Sequence, residues 1–169
     1  MDITQLILDD HHEQRRLFAM IDEIDKGDTD SLAAVWKRLA TFLEVHAETE
    51  ERLFYPALLK VGRKVGDTEG VEEETLDAIK DHNEIRDAVA AVRGETVGSE
   101  GWFKAVAAAN KANGDHMAEE EREGLTDFRR QASLQLRHDL AVQFIAYETS
   151  HVTGVPPVDK DPKAWVKEH

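Results

Sequence analysis

A chain of 169 residues is long enough for one sizeable core and short for two. Its net charge of −14 repels nucleic-acid phosphates and anionic lipid, so neither nucleic acid nor a membrane surface is an expected partner. There is no cysteine, which excludes disulfides, thiolate metal sites, iron–sulfur clusters and cysteine nucleophiles and makes a cytoplasmic address the expectation.

Helical periodicity runs through the chain and strand alternation is absent. The first predicted helix spans Ile3 to Asp25, with Ile3, Leu6, Ile7, Leu17, Phe18, Ile21 and Ile24 on one face. A break at Lys26-Gly27-Asp28-Thr29-Asp30-Ser31 supplies caps for a second helix, expected from about Ser31 to Leu59. Gly62 to Gly70 reads as a loop, Val71 to Val92 as the third helix, and Gly94 to Gly101 as another loop with Ser99 as a cap. A fourth helix begins near Glu100, and Gly124 kinks or ends it. Leu125 to His151 is a further helical stretch, and the segment after Gly154 reads as an extended or partly ordered tail. No run approaches the roughly 18–20 apolar residues that a bilayer span requires. Met1-Asp2-Ile3-Thr4-Gln5 is neither basic nor apolar and does not read as a secretory signal. The expected organisation is a helical domain over 1–153 and a tail over 154–169.

One pattern occurs twice. Asp10-His11-His12-Glu13-Gln14-Arg15 reappears as Asp81-His82-Asn83-Glu84-Ile85-Arg86, an Asp-His-x-Glu-x-Arg frame. Each copy is followed by His-x-x-x-Glu: His46 and Glu50 after the first, His116 and Glu120 after the second. At 3.6 residues per turn, His11 shares a line with Ile7, Gln14 and Phe18, whereas His12 is rotated about 100° away. His46 and Glu50 share a line with Leu39, Phe42 and Leu53, His82 with Ile79 and Val89, and His116 and Glu120 with Trp102, Val106 and Ala109. All six repeated donors therefore face inward, each midway along an apolar stripe. Four such helices make an all-α bundle with a polar site at its centre.

Two carboxylates in a bundle core are unfavourable unless paired or bound to metal, and Arg86 is the one obvious inward cation. Imidazole and carboxylate together suit iron, zinc or manganese. His-x-x-x-Glu sets both donors on one helical face a turn apart. A single copy occurs by chance on many helices; two copies behind the same frame, about 70 residues apart, point to a two-metal site. Asp10 and Asp81 precede the ligand-type histidines and can orient imidazoles or bound water, or lie solvated. Tyr55 lies about 180° from His46 on a regular helix and reads as peripheral. Glu119 to Glu123 reads as a solvated face apart from Glu120, and His138 and His151 have no repeated partner.

With the two His/Glu units in place, and with Leu53-Phe54-Tyr55-Pro56 following the His46 motif, residues 2 to about 125 resemble the hemerythrin-like (HHE) cation-binding domain. The resemblance implies an antiparallel four-helix bundle, here with an additional C-terminal helical stretch and short tail, around a non-haem di-iron centre. It implies His11 and His46 on one iron, His82 and His116 on the other, and Glu50 and Glu120 bridging the two ions together with an oxo or hydroxo group. The oxygen-carrying members place a further histidine four residues after the third-helix histidine; this chain has Arg86 there. Protein donors then divide evenly between the irons, which disfavours reversible oxygen transport; Tyr147, Glu121, Glu51 and His151 are available as a further ligand.

Three functional readings follow. The first is a di-iron protein that reacts with hydrogen peroxide, nitric oxide or dioxygen in oxidative or nitrosative stress defence, with catalase-like peroxide decomposition or nitric oxide reduction as its enzymatic form. The second is a non-catalytic module that binds or senses iron, dioxygen or nitric oxide. The third is a purely structural bundle, disfavoured by the buried carboxylates.

Overall fold

The computed structural model describes residues 1–169. Helix α1 spans Ile3–Glu23 and opens on Asp2, whose side chain accepts from the Thr4 amide. Helix α2 spans Thr29–Thr49, capped by Asp28 through the Ser31 amide. It runs without a break into a π turn, Glu50–Phe54, and then into α3, Tyr55–Val65. Helices α4, Thr68–Arg93, and α5, Glu100–Arg122, complete the bundle. Ser99 caps α5 by accepting from the Trp102 amide, as the sequence predicts. Short connections turn α1 against α2, α3 against α4 and α4 against α5, and α1 closes on α5, so the four long rods alternate in direction.

The π turn has a local cause. Pro56 has no N–H to give to the Arg52 carbonyl, and its ring crowds that oxygen, so the α-helical ladder cannot close across this stretch. The Tyr55 amide donates instead to the Glu50 carbonyl, five residues back. The wider turn shifts the helical register for everything after Glu50.

The expected loop from Gly62 to Gly70 is a correction: α3 continues to Val65, and only Gly66 and Asp67 separate it from α4. Gly62 marks a close approach rather than a break, since a Cβ there would lie 2.7 Å from the Val71 side chain. The reversal falls on Gly66, which ends α3 at φ 92°, a conformation glycine adopts without strain.

Beyond α5 the chain makes α6, Gly124–Gln131, and α7, Leu134–Ser150, two helices where the sequence suggests one stretch. Ala132 is extended and Ser133 starts α7 by accepting from the Leu136 amide. α7 lies against α1, α2 and the π turn. From Gly154 the chain runs without regular structure to Asp161 and ends in α8, Pro162–Glu168, which packs on α4 through buried Trp165 and Val166.

The apolar core is in two parts. One gathers Leu17, Phe18, Ile21, Trp36, Leu39 and Trp102 toward one end of the bundle, with the Trp36 and Trp102 rings edge to face at 6.3 Å. The other gathers Ile3, Ile7, Phe54, Leu59, Phe128 and Phe144 toward the opposite end. A layer of buried polar side chains separates them: His11, Gln14, His46, Glu50, His82, Asn113, His116 and Glu120. No helix is long and apolar enough to cross a membrane.

Candidate metal centre

The polar layer contains all six donors of the repeated motif. His11 comes from α1, His46 from the last turn of α2, Glu50 from the first residue of the π turn, His82 from α4, and His116 and Glu120 from α5. All are buried, with Glu50 and His11 fully inaccessible. Their donor atoms form two groups within metal-sharing distance, His11–His46–Glu50 and Glu50–His82–His116. Glu50 belongs to both. Its Oε1 lies 3.0 Å from His46 Nε2 and its Oε2 3.3 Å from His82 Nε2, so each oxygen faces one histidine pair. Glu120 joins through Oε2, 3.3 Å from His11 Nε2. His82 Nε2 and His116 Nε2 stand 3.1 Å apart.

The outer nitrogens of the same rings are occupied. His11 Nδ1 donates to Glu121 at 2.9 Å, His46 Nδ1 to Asp10 at 3.1 Å, and His82 Nδ1 to Glu51 at 2.8 Å. His116 Nδ1 is 3.7 Å from Asp81. An ionised carboxylate only accepts, so these partners place a hydrogen on Nδ1 and make Nε2, pointing into the layer, the nitrogen whose lone pair a metal would take. Carboxylate partners of this kind orient metal-binding imidazoles. Asp10 and Asp81 thus face rings of their own repeats, Asp10 in a hydrogen bond that orients His46 and Asp81 as a longer charge contact with His116.

Glu51 and Glu121 are twins, each immediately following the glutamate of its His-x-x-x-Glu motif. Each also carries an arginine: Arg86 on Glu51 at 3.0 Å and Arg15 on Glu121 at 2.8 Å. The repeat therefore extends to His-x-x-x-Glu-Glu-Arg in both copies, His46 to Arg52 and His116 to Arg122, a signal present in the sequence. Glu121 is the second exception, beside Glu120, to the solvated face expected over Glu119 to Glu123. Its exposed neighbours Glu119 and Arg122 support that reading for the rest of the segment.

Tyr55 is a second correction. It is buried, not peripheral, and its hydroxyl donates to Glu120 Oε1 at 2.9 Å. The π turn accounts for this by rotating the helix after Glu50 away from the regular register that puts Tyr55 opposite His46. Of the four residues available as a further ligand, Tyr147 and His151 stack on each other at 4.0 Å, while Glu51 and Glu121 hold histidine Nδ1 atoms. His12 and His138 are exposed. Glu148, from α7, was not singled out by any repeat; it comes within 3.8 Å of His46 Nδ1.

Electrostatics in the metal-free site follow from these pairings. Burial opposes charge on His82, but Glu50 and Glu51 outweigh it and raise its pKa to about 9. His46 is likewise held well above the ordinary histidine range, since Glu50, Asp10 and Glu148 override its burial. Glu51, although buried, is held down to about 2 by His82, Arg86 and Lys160. Protons on the imidazoles thus compensate the carboxylates here, the task a cation would otherwise perform.

The donor set fits a metal pair on a separate observation. His11 Nε2, His46 Nε2, both oxygens of Glu50 and Glu120 Oε2 are buried and face only one another and His82 Nε2, at 3.0 to 3.3 Å, without a well-formed hydrogen bond. Native interiors rarely leave so many polar atoms unsatisfied, and here they converge on one place.

The sequence matches the hemerythrin HHE cation binding domain over residues 2–126. The chain belongs to this hemerythrin family. No curated protein and no solved structure matches it. As a hemerythrin-family chain it is a cation-binding bundle in which α1 to α5 carry the family match and α7 and α8 lie beyond it.

Proposed function

We propose that the bundle holds two iron ions, one at His11, His46 and Glu50 and one at His82, His116 and Glu50, with Glu120 completing the set. Glu50 carries this reading: its two oxygens, with no hydrogen bond from outside the layer, each face a different histidine pair. Glu120 differs because Tyr55 already occupies its Oε1, leaving Oε2 as the open donor. Iron would supply Lewis acidity and a change of redox state.

The chain's own residues supply position and exclusion. The carboxylates at Nδ1 fix the ring planes, and Tyr55 fixes Glu120. Phe42 and Phe144 pack on the His46 ring at 6.1 and 6.0 Å, and the two apolar clusters close the layer from both ends. Gln14 and Asn113, hydrogen-bonded at 2.9 Å, lie one turn from His11 and His116, and Gln14 Nε2 is a buried donor with no partner. A site this enclosed suits ligands of two to four atoms.

The proposed function is therefore reaction with small oxidants, hydrogen peroxide, nitric oxide or dioxygen, in oxidative or nitrosative stress defence. The protein supplies two histidines on each side, and Arg86 turns away from the His82 pair to Glu44 and Glu51, so no extra histidine saturates either ion. The test is peroxide and nitric oxide consumption by iron-loaded protein against metal-free protein. Turnover above the free-iron background supports the reading; stoichiometric binding without turnover replaces it with a binding or sensing module.

A further inference from the structure

The two histidine pairs are related by the repeat, yet their surroundings are not equal. Glu121, which orients His11, is partly exposed (28%) and has one cationic partner, Arg15. Glu51, which orients His82, is 1% exposed and has two, Arg86 and Lys160. Lys160 comes from the stretch between α7 and α8, outside the matched residues 2–126.

Its placement is specific. The Asn83 side chain clamps the Lys160 backbone from both sides: Nδ2 donates to the Lys160 carbonyl at 2.7 Å, and Oδ1 accepts from the Lys160 amide at 3.1 Å. Asn83 directly follows His82 in the chain. The clamp leaves the Lys160 ammonium over Glu48, at 2.6 Å, and over Glu51. Glu51 Oε1 accepts from His82 and Arg86 while Oε2 accepts from Lys160, so both oxygens are held. The corresponding Glu121 has hydrogen bonds only at Oε1.

We infer that Lys160 is a positioning residue for the metal site at His82, acting through Glu51, so that the C-terminal segment makes the two metal positions of a repeated motif unequal. The inference rests on the two-metal reading above. With Lys160 in place, Glu51 has one orientation and His82 Nε2 one aim. Without it, Glu51 Oε2 loses its partner and the carboxylate can rotate toward solvent at Glu48, which frees the His82 ring. The site at His11 and His46 does not depend on this contact.

The test is titration of metal-free, full-length protein with cobalt(II), a redox-stable ion whose visible bands report each equivalent. The wild type takes up two equivalents. Lys160→Met weakens one equivalent by about tenfold or more, the usual effect of losing a partner of a metal-binding histidine, and leaves the other within about twofold. Asn83→Ala, which releases the clamp but keeps the ammonium, shifts the same equivalent by less. Lys160→Arg restores wild-type binding, and Lys163→Met, at an exposed lysine on α8, has no effect. Two unchanged equivalents in Lys160→Met overturn the inference and leave the metal site standing. Equal weakening of both equivalents, with a lower melting temperature of the metal-free protein, also overturns it, because that is the signature of a merely structural role. A wild type that binds fewer than two equivalents overturns the two-metal reading and this inference with it.

Discussion

Glu51, from the first repeat, accepts a hydrogen bond from His82 Nδ1 of the second at 2.8 Å. The reciprocal pair, Glu121 of the second repeat with His11 of the first, is 2.9 Å apart. Each half of the chain thus orients a histidine of the other. The first half supplies His11, His46 and Glu50 but takes Glu121 from the second, and the second supplies His82 and His116 but takes Glu50 and Glu51 from the first, so the two halves depend on each other within one bundle.

The arginines behind these carboxylates differ in burial, and their removal should differ accordingly. Arg86 is 4% exposed between Glu44 and Glu51, while Arg15 is 40% exposed on Glu121. Arg86→Ala leaves buried carboxylates short of a cation and should destabilise the metal-free protein by about 3 kcal/mol. Arg15→Ala should change stability by less than about 1 kcal/mol. Urea unfolding of the two variants makes the comparison; equal effects would contradict it.

Tyr55→Phe deletes the hydroxyl that donates to Glu120 Oε1 and changes little else. A buried carboxylate oxygen left without a partner costs about 1–3 kcal/mol, so the metal-free protein should melt several degrees lower. With Tyr55 gone, Glu120 Oε1 is free to join Oε2 in holding metal, so the loaded protein should lose less. Calorimetry on both forms reads the difference; an equal loss in both would separate Tyr55 from the site.

Stability of the metal-free protein should depend on pH through the His82–Glu51 pair. The His82 pKa is raised from 6.5 to about 9, so its contribution is complete below 6.5 and lost as pH rises through 9. The Glu51 pKa is lowered from 4.5 to about 2, so its contribution is complete above 4.5 and lost as pH falls through 2. The two describe one pair and do not add. The urea midpoint should be highest between 4.5 and 6.5 and fall on either side. A midpoint that rises from pH 6.5 to 9 would contradict the pairing.

Much of this arrangement is legible in the sequence because the bundle obeys the α-helical period. The apolar stripes through Ile7, Leu39, Ile79 and Trp102 name the inward faces, and the repeated motif names six side chains that the structure brings into one layer. Tyr55 departs from the regular period because one π turn interrupts it at Glu50, and Pro56 is the sequence signal for that turn. Gly62 misleads because a glycine that lets two helices approach looks the same in sequence as a glycine that ends one. Glu148 and Lys160 reach the site from beyond the repeat, and no periodicity connects them to His46 or Glu51.

The central claim is that these six side chains hold two metal ions, and metal content measures it most directly. Protein purified without chelator should contain two irons per chain. His46→Ala and His116→Ala should each lower that content sharply, while His138→Ala, at an exposed histidine, should retain it. Retention of two metals by all three variants, or no metal in the wild type, would contradict the account.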